Sequence, residues 1–99
     1  MVMEKFAFDT DKLIDVCRKH AVTSIGVFGS MARGESTPKS DIDLLVEFGE
    51  RKSLLDHIQL ERELFAAMGR KVDVLTKNAI SPYLRERILS EVQTIYEAR

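Results

Sequence analysis

The residue types able to do chemistry in this 99-residue sequence gather in two short runs. Gly29 and Ser30 are followed, after ten residues, by Asp41, Ile42 and Asp43. A glycine at the end of an extended segment lets the backbone come close to a ligand. Ser30 and the amides after it can open a short helix whose N-terminus offers positive charge to a phosphate, with the serine hydroxyl as a further donor. Carboxylates two residues apart on a strand leave the same face, about 6 to 7 Å apart along it. They repel each other unless a cation joins them, and an all-oxygen donor set suits Mg²⁺, which keeps waters and recruits substrate phosphates. A third acid, Asp73, lies between Val72 and Val74.

These groups meet only if the elements carrying them are arranged to that end. Leu13, Ile14, Cys17 and Ala21 recur at helical spacing, so a helix capped by Asp9 or Thr10 and running to about His20 is expected. Ser24–Phe28 is β-branched and aromatic and reads as a buried strand ending at Gly29. Ile42–Phe48 reads as a second strand, with Ile42, Leu44 and Val46 on one face and Asp41, Asp43 and Leu45 on the other. Ser53 is a cap for a helix over Leu54–Met68 that stops at Gly69, with Leu54, Ile58, Leu64, Phe65 and Met68 within one apolar arc of about 120°. Lys71–Thr76 gives a third strand. Ser81–Pro82 opens a last helix to about Ser90, and Val92–Tyr96 alternates like an edge strand.

The fold class is therefore α/β or α+β, a small mixed sheet of about four strands covered by helices, in a single domain over residues 1–99. The glycine turn ends the first strand and the acids begin the second, so the two must run antiparallel to bring them together. A helix-length crossover joins the second strand to the third, the usual connection of parallel neighbours. That sets Asp73 beside Asp43, with Val72 and Val74 turned to the core.

Fifteen Lys and Arg balance 16 Asp and Glu, for a net charge of −1, which removes the broad basic field of a dedicated nucleic-acid binder; direct binding of nucleic acid is not expected. A lone cysteine, Cys17, forms no internal disulfide and reads as a small core residue, and two histidines give no zinc-type spacing. No stretch approaches the apolar length of a membrane span and the first residues lack a signal-type core, so a soluble cytoplasmic protein with no membrane partner is expected.

The run GSMARGESTPKSDIDLLVEF, followed by KVDVLT, resembles the nucleotidyltransferase fold of the DNA polymerase β superfamily. More closely, it is similar to the minimal nucleotidyltransferases that act as antitoxins beside HEPN-domain toxins. The resemblance extends to the S-P-x-L-R-E-R-I-L helix near the end. It implies a Mg-dependent protein adenylyltransferase: transfer of AMP from ATP to a tyrosine hydroxyl of a HEPN partner, silencing that partner's RNase activity within a hetero-oligomer. On this resemblance Asp41, Asp43 and Asp73 are the catalytic and metal-binding residues for two Mg²⁺ ions. Gly29, Ser30 and Arg33 are then nucleotide-binding. Two alternatives stand beside it: an antitoxin acting by binding alone, and nucleotidyl transfer to a small molecule or RNA.

Other side chains read more plainly. Lys39 is a solvated loop charge, and His57 with Glu61 a partly buried hydrogen-bonded pair. Arg85, Glu86 and Arg87 are exposed mixed charge, and Tyr83 and Tyr96 cover a core edge.

Overall fold

The computed structural model describes residues 8–34 and 40–98; Lys39 lies outside the described residues. Their order is α1 (Thr10–Lys19), β1 (Val22–Phe28), α2 (Ser30–Arg33), β2 (Ile42–Phe48), α3 (Leu54–Met68), β3 (Val72–Thr76), a 3₁₀ turn (Lys77–Ala79), α4 (Pro82–Glu91) and β4 (Gln93–Glu97). The caps follow the local sequence. Asp9 accepts the Lys12 amide at 3.1 Å, Ser53 and Asp56 form a reciprocal capping box, and Ser81 accepts the Tyr83 amide just ahead of Pro82. Gly69 ends α3 in the left-handed conformation. β1 starts two residues before the expected Ser24, because Val22 pairs with Phe48 across the sheet; the 3₁₀ turn after β3 has no counterpart in the sequence pattern.

The four strands lie in the order β3-β2-β1-β4. β1 runs antiparallel to both β2 and β4, while β2 and β3 are parallel, joined by α3 as the crossover. This is the mixed sheet the topology required. One face carries most of the core. Ile25 and Val27 of β1, Ile42, Leu44 and Val46 of β2, and Val72 and Val74 of β3 pack there with Leu13 and Cys17 of α1 and Leu60 and Leu64 of α3. Each fully buried aliphatic side chain contributes about 1.5–3 kcal/mol. Burial pushes the Cys17 thiol up to about 12, as suits a core residue. On the other face a smaller cluster of Phe28, Leu45, Ile80 and Ile88 seats α4.

The apolar arc of α3 is corrected by the structure. Leu60 and Leu64 are fully buried, whereas Leu54 and Phe65 are 75% and 57% exposed. The buried line is centred about 80° away from the arc's middle at 100° per residue. Packing against α1 and β3 selects the Leu60–Leu64 row and leaves Leu54, Ile58 and Phe65 on the flank. Tyr96 packs against the main core, as expected, but Tyr83 is almost wholly exposed on α4 and covers nothing. No helix among the described residues is long and apolar enough to cross a membrane.

Candidate active site

The C-terminal end of β1 meets the first residues of β2 and β3. Phe28 pairs with Asp43, and Asp43 in turn pairs with Asp73, so Phe28, Asp43 and Asp73 occupy three consecutive positions across one end of the sheet, with Gly29 immediately after Phe28. Alternation along β2 and β3 turns Ile42, Leu44, Val72 and Val74 into the main core, and Asp43 and Asp73 to the opposite face, beside the α4 cluster. Both acids stay partly solvated. Asp41, just before β2, is exposed but close enough for its charge to act on Asp43.

Gly29 adopts φ 74°, ψ −150°, a conformation that is open essentially to glycine alone. A Cβ placed there would overlap the Asp43 carboxylate. The glycine is thus needed twice, for the turn and for the close approach of backbone to acid. α2 follows as a single helical turn, with Arg33 N–H donating to Gly29 O at 3.1 Å and no side chain capping its first amides. At four residues it has little dipole; what it offers a ligand is local amide hydrogens and the half-exposed Ser30 hydroxyl. Buried Met31 anchors the turn to the core.

Asp43 is held in an unfavourable state by its surroundings. Burial, then the charges of Asp73 and Asp41 and a side-chain hydrogen bond with Asp73, push the Asp43 carboxyl above its ordinary value of 3.8, while the Arg33 guanidinium pulls it partly back. Lys71 Nζ lies 3.6 Å from Asp73 Oδ1. Arg33 stands near Asp43, yet it is also engaged by Glu91 Oε2 of α4 at 3.1 Å. Among the described residues no three Asp, Glu, His or Cys side chains are placed to enclose an ion by themselves. The donor set fits a hard divalent cation that takes the Asp43–Asp73 pair and completes its shell with water and phosphate oxygens. Asp41 would join by turning inward from its exposed position.

Three further side chains brace this end of the sheet. Arg70 Nη1 donates to Ser40 O at 3.1 Å, tying the entry of β2 to the end of α3. Glu61 Oε2 accepts the Val74 amide at 2.9 Å, and His57 Nε2 lies 3.8 Å from the same oxygen. His57 and Glu61 are neighbours as expected, but at this distance they do not form the expected hydrogen bond, because the Glu61 oxygen is turned to the Val74 amide. Gln93 Nε2 donates to Ala32 O at 2.9 Å, holding α2 from β4. None of the three carries a motif; each acts on a backbone group far away in sequence, and such a contact leaves no spacing to read.

Hollows in the surface do not coincide with this site in the simplest way. One of about 750 Å³ lies at the other end of β2, lined by residues such as Glu47, Ser53, His57 and Lys77. A groove of about 240 Å³ does include Asp73, between α3 and the edge of β3. The position of the acids, and not cavity size, singles out the candidate site.

Comparison with known proteins identifies the family of the chain. Residues 11–95 match the nucleotidyltransferase domain family. A protein of Methanocaldococcus jannaschii, provisionally named a protein adenylyltransferase, is 54% identical over 80 residues, covering 81% of this chain and 86% of its own length. A solved structure described provisionally as a minimal nucleotidyltransferase superposes with a TM-score of 0.74 at 39% identity, over 86% of this chain and 87% of that one. Two more share the fold. A toxin–antitoxin structure with AMP-PNP has a TM-score of 0.80 at 22% identity, over 92% and 75% of the two chains. A complex of an MNT antitoxin with a tri-AMPylated HEPN toxin of Shewanella oneidensis has 0.70 at 20% identity, over 89% and 69%. A family match across most of the sequence, joined to a close relative aligned over four fifths of it, settles the affiliation: the chain belongs to the nucleotidyltransferase domain family.

Proposed function

We propose that this chain is an antitoxin that transfers AMP from ATP to a tyrosine hydroxyl of a HEPN-type toxin and so silences it. The observation that carries this proposal is Gly29 pressed against Asp43 with Asp73 in register beside it. A phosphate-approaching turn and a carboxylate pair at one sheet end are what phosphoryl-group chemistry asks for. The adenylyltransferase name of the M. jannaschii relative, and the AMP-PNP and AMPylated toxin in the neighbouring structures, support AMP as the group moved and a HEPN protein as its acceptor.

In this scheme the amides after Gly29 and the Ser30 hydroxyl hold the β- and γ-phosphates. Arg33, released in part from Glu91, adds positive charge. Asp41, Asp43 and Asp73 would hold two Mg²⁺, which would neutralise the triphosphate and lower the pKa of the attacking hydroxyl. The acceptor oxygen bonds to the α-phosphorus as the α–β phosphoanhydride bond breaks, and pyrophosphate leaves with the bonding electrons. The hydroxyl proton passes to the Asp73 carboxylate. Positioning supplies much of the rate, since the groups are already set by the strand register.

A second proposal, neutralisation by complex formation alone, draws on the exposed Leu54, Leu55, Phe65 and Tyr83, apolar side chains that a bound partner could cover. One experiment separates the two. Purified protein is incubated with Mg²⁺ and α-labelled ATP, with and without the HEPN partner, alongside the Asp41→Ala/Asp43→Ala variant. Label on the partner from wild type and none from the variant is the expected result. No label, with RNase inhibition retained by the variant, would overturn transfer and leave binding.

A further inference from the structure

We propose that the groove between α3 and the free edge of β3 is where the protein acceptor docks, with Ile58 and Phe65 as its specificity-determining walls. The inference rests on the AMP-transfer function above and adds the direction from which the acceptor arrives. In an in-line displacement the attacking and leaving oxygens stand on opposite sides of the α-phosphorus. Ser30, at the end of β1, marks the leaving-group side. Asp43 on the neighbouring β2 marks the centre, and Asp73 on β3 the attacking side. Strands are about 4.8 Å apart, so the line of reaction crosses about 10 Å of sheet from the β1 turn toward the β3 edge. β3 is an outer strand, and the acceptor must therefore come over that edge.

The surface met there is a groove of about 240 Å³ formed by Ile58, Glu61, Arg62 and Phe65 of α3 with Lys71 and Asp73. Glu61 closes the strand edge by taking the Val74 amide, so the groove offers side-chain walls and not a backbone ladder for strand addition. Ile58 and Phe65 are 41% and 57% exposed, the flank that α3 turns away from the core. Arg62 and Lys71 are balanced by Glu61 and Asp73. A neutral groove with apolar walls suits an aromatic hydroxyl side chain presented by a folded protein. It does not suit a phosphate backbone, which needs an excess of positive charge.

The test compares wild type with Ile58→Ala/Phe65→Ala, and with Leu84→Ala/Leu89→Ala on α4 as a control of similar exposure away from the groove. Three quantities are measured with the HEPN partner: its affinity by calorimetry without ATP, the KM for partner in AMP transfer, and the KM for ATP. The groove variant should weaken partner affinity and raise the partner KM at least tenfold, leaving the KM for ATP within twofold. The α4 control should match wild type. Unchanged affinity and partner KM in the groove variant, or an equal loss in the α4 control, would overturn the docking site. If wild type binds the partner but transfers no label, the AMP-transfer function fails, while the affinities still decide the groove. Transfer to RNA in place of protein would overturn the inference outright.

Discussion

The two ends of β2 treat charge in opposite ways. At the C-terminal end Glu47 meets Lys77 at 2.8 Å, Glu50 meets Lys52 at 3.3 Å, and Asp56 is held below its ordinary value by backbone and side-chain hydrogen bonds from Ser53. Each of these three acids has a cationic or hydrogen-bonding partner. At the N-terminal end Asp43 faces Asp73 with Asp41 near, and its carboxyl is pushed the other way. The larger hollow lies at the satisfied end, yet the candidate site lies at the frustrated one. Like charges left in contact raise the free energy of the fold, and a protein retains them where a ligand cation relieves them.

Substitutions can sharpen or break this contrast. Asp43→Asn should reduce AMP transfer by about 1000-fold, the upper range for losing one charge-stabilising group. The same change should raise the melting temperature at neutral pH, which calorimetry reads. The sign follows from linkage: Asp43 has a raised pKa in the fold, so the folded chain binds more protons than the unfolded one as pH rises above 3.8, and stability falls through that window. The variant should lack that fall. Asp56 behaves in reverse, its stabilising share being present above 3.8 and lost on acidification. A destabilised Asp43→Asn protein would break the contrast.

Next in size, Gly29→Ala should lower transfer about 100-fold, as expected for misplacing reactive groups by about 1 Å. It should also cost about 1–3 kcal/mol in denaturant unfolding, since both the backbone conformation and the Asp43 contact forbid a side chain. Gly69→Ala is the matched comparison. Gly69 has nearly the same φ, 72°, but nothing lies within 4 Å of an added Cβ. It should cost about 1–2 kcal/mol and leave transfer untouched. Smallest of all, Lys77→Ala at the satisfied end should cost no more than about 1 kcal/mol, because the Glu47–Lys77 pair is half-exposed, and should not alter activity.

Much of this site is legible in the sequence because strand alternation and connection length fix it. The valines around Asp73 turn that acid out of the core, and the long crossover through α3 makes β3 parallel to β2, so the Asp43–Asp73 meeting follows from pattern alone. Rotation of α3 is not legible in the same way. Leu54, Ile58 and Phe65 are as apolar as Leu60 and Leu64, and only the packing against α1 decides which row is covered. Arg70, Glu61 and Gln93 escape for another reason: each is an ordinary polar residue until a distant peptide group comes within reach.

The Gln93 contact has a consequence for the order of assembly. Its partner, Ala32, lies 61 positions earlier, so this tether closes one of the longest loops in the chain. Contacts of such separation are costly in chain entropy and tend to form after nearer ones. A newly made molecule can therefore align its acids before its glycine turn is clamped, and the candidate site is complete only with the final strand.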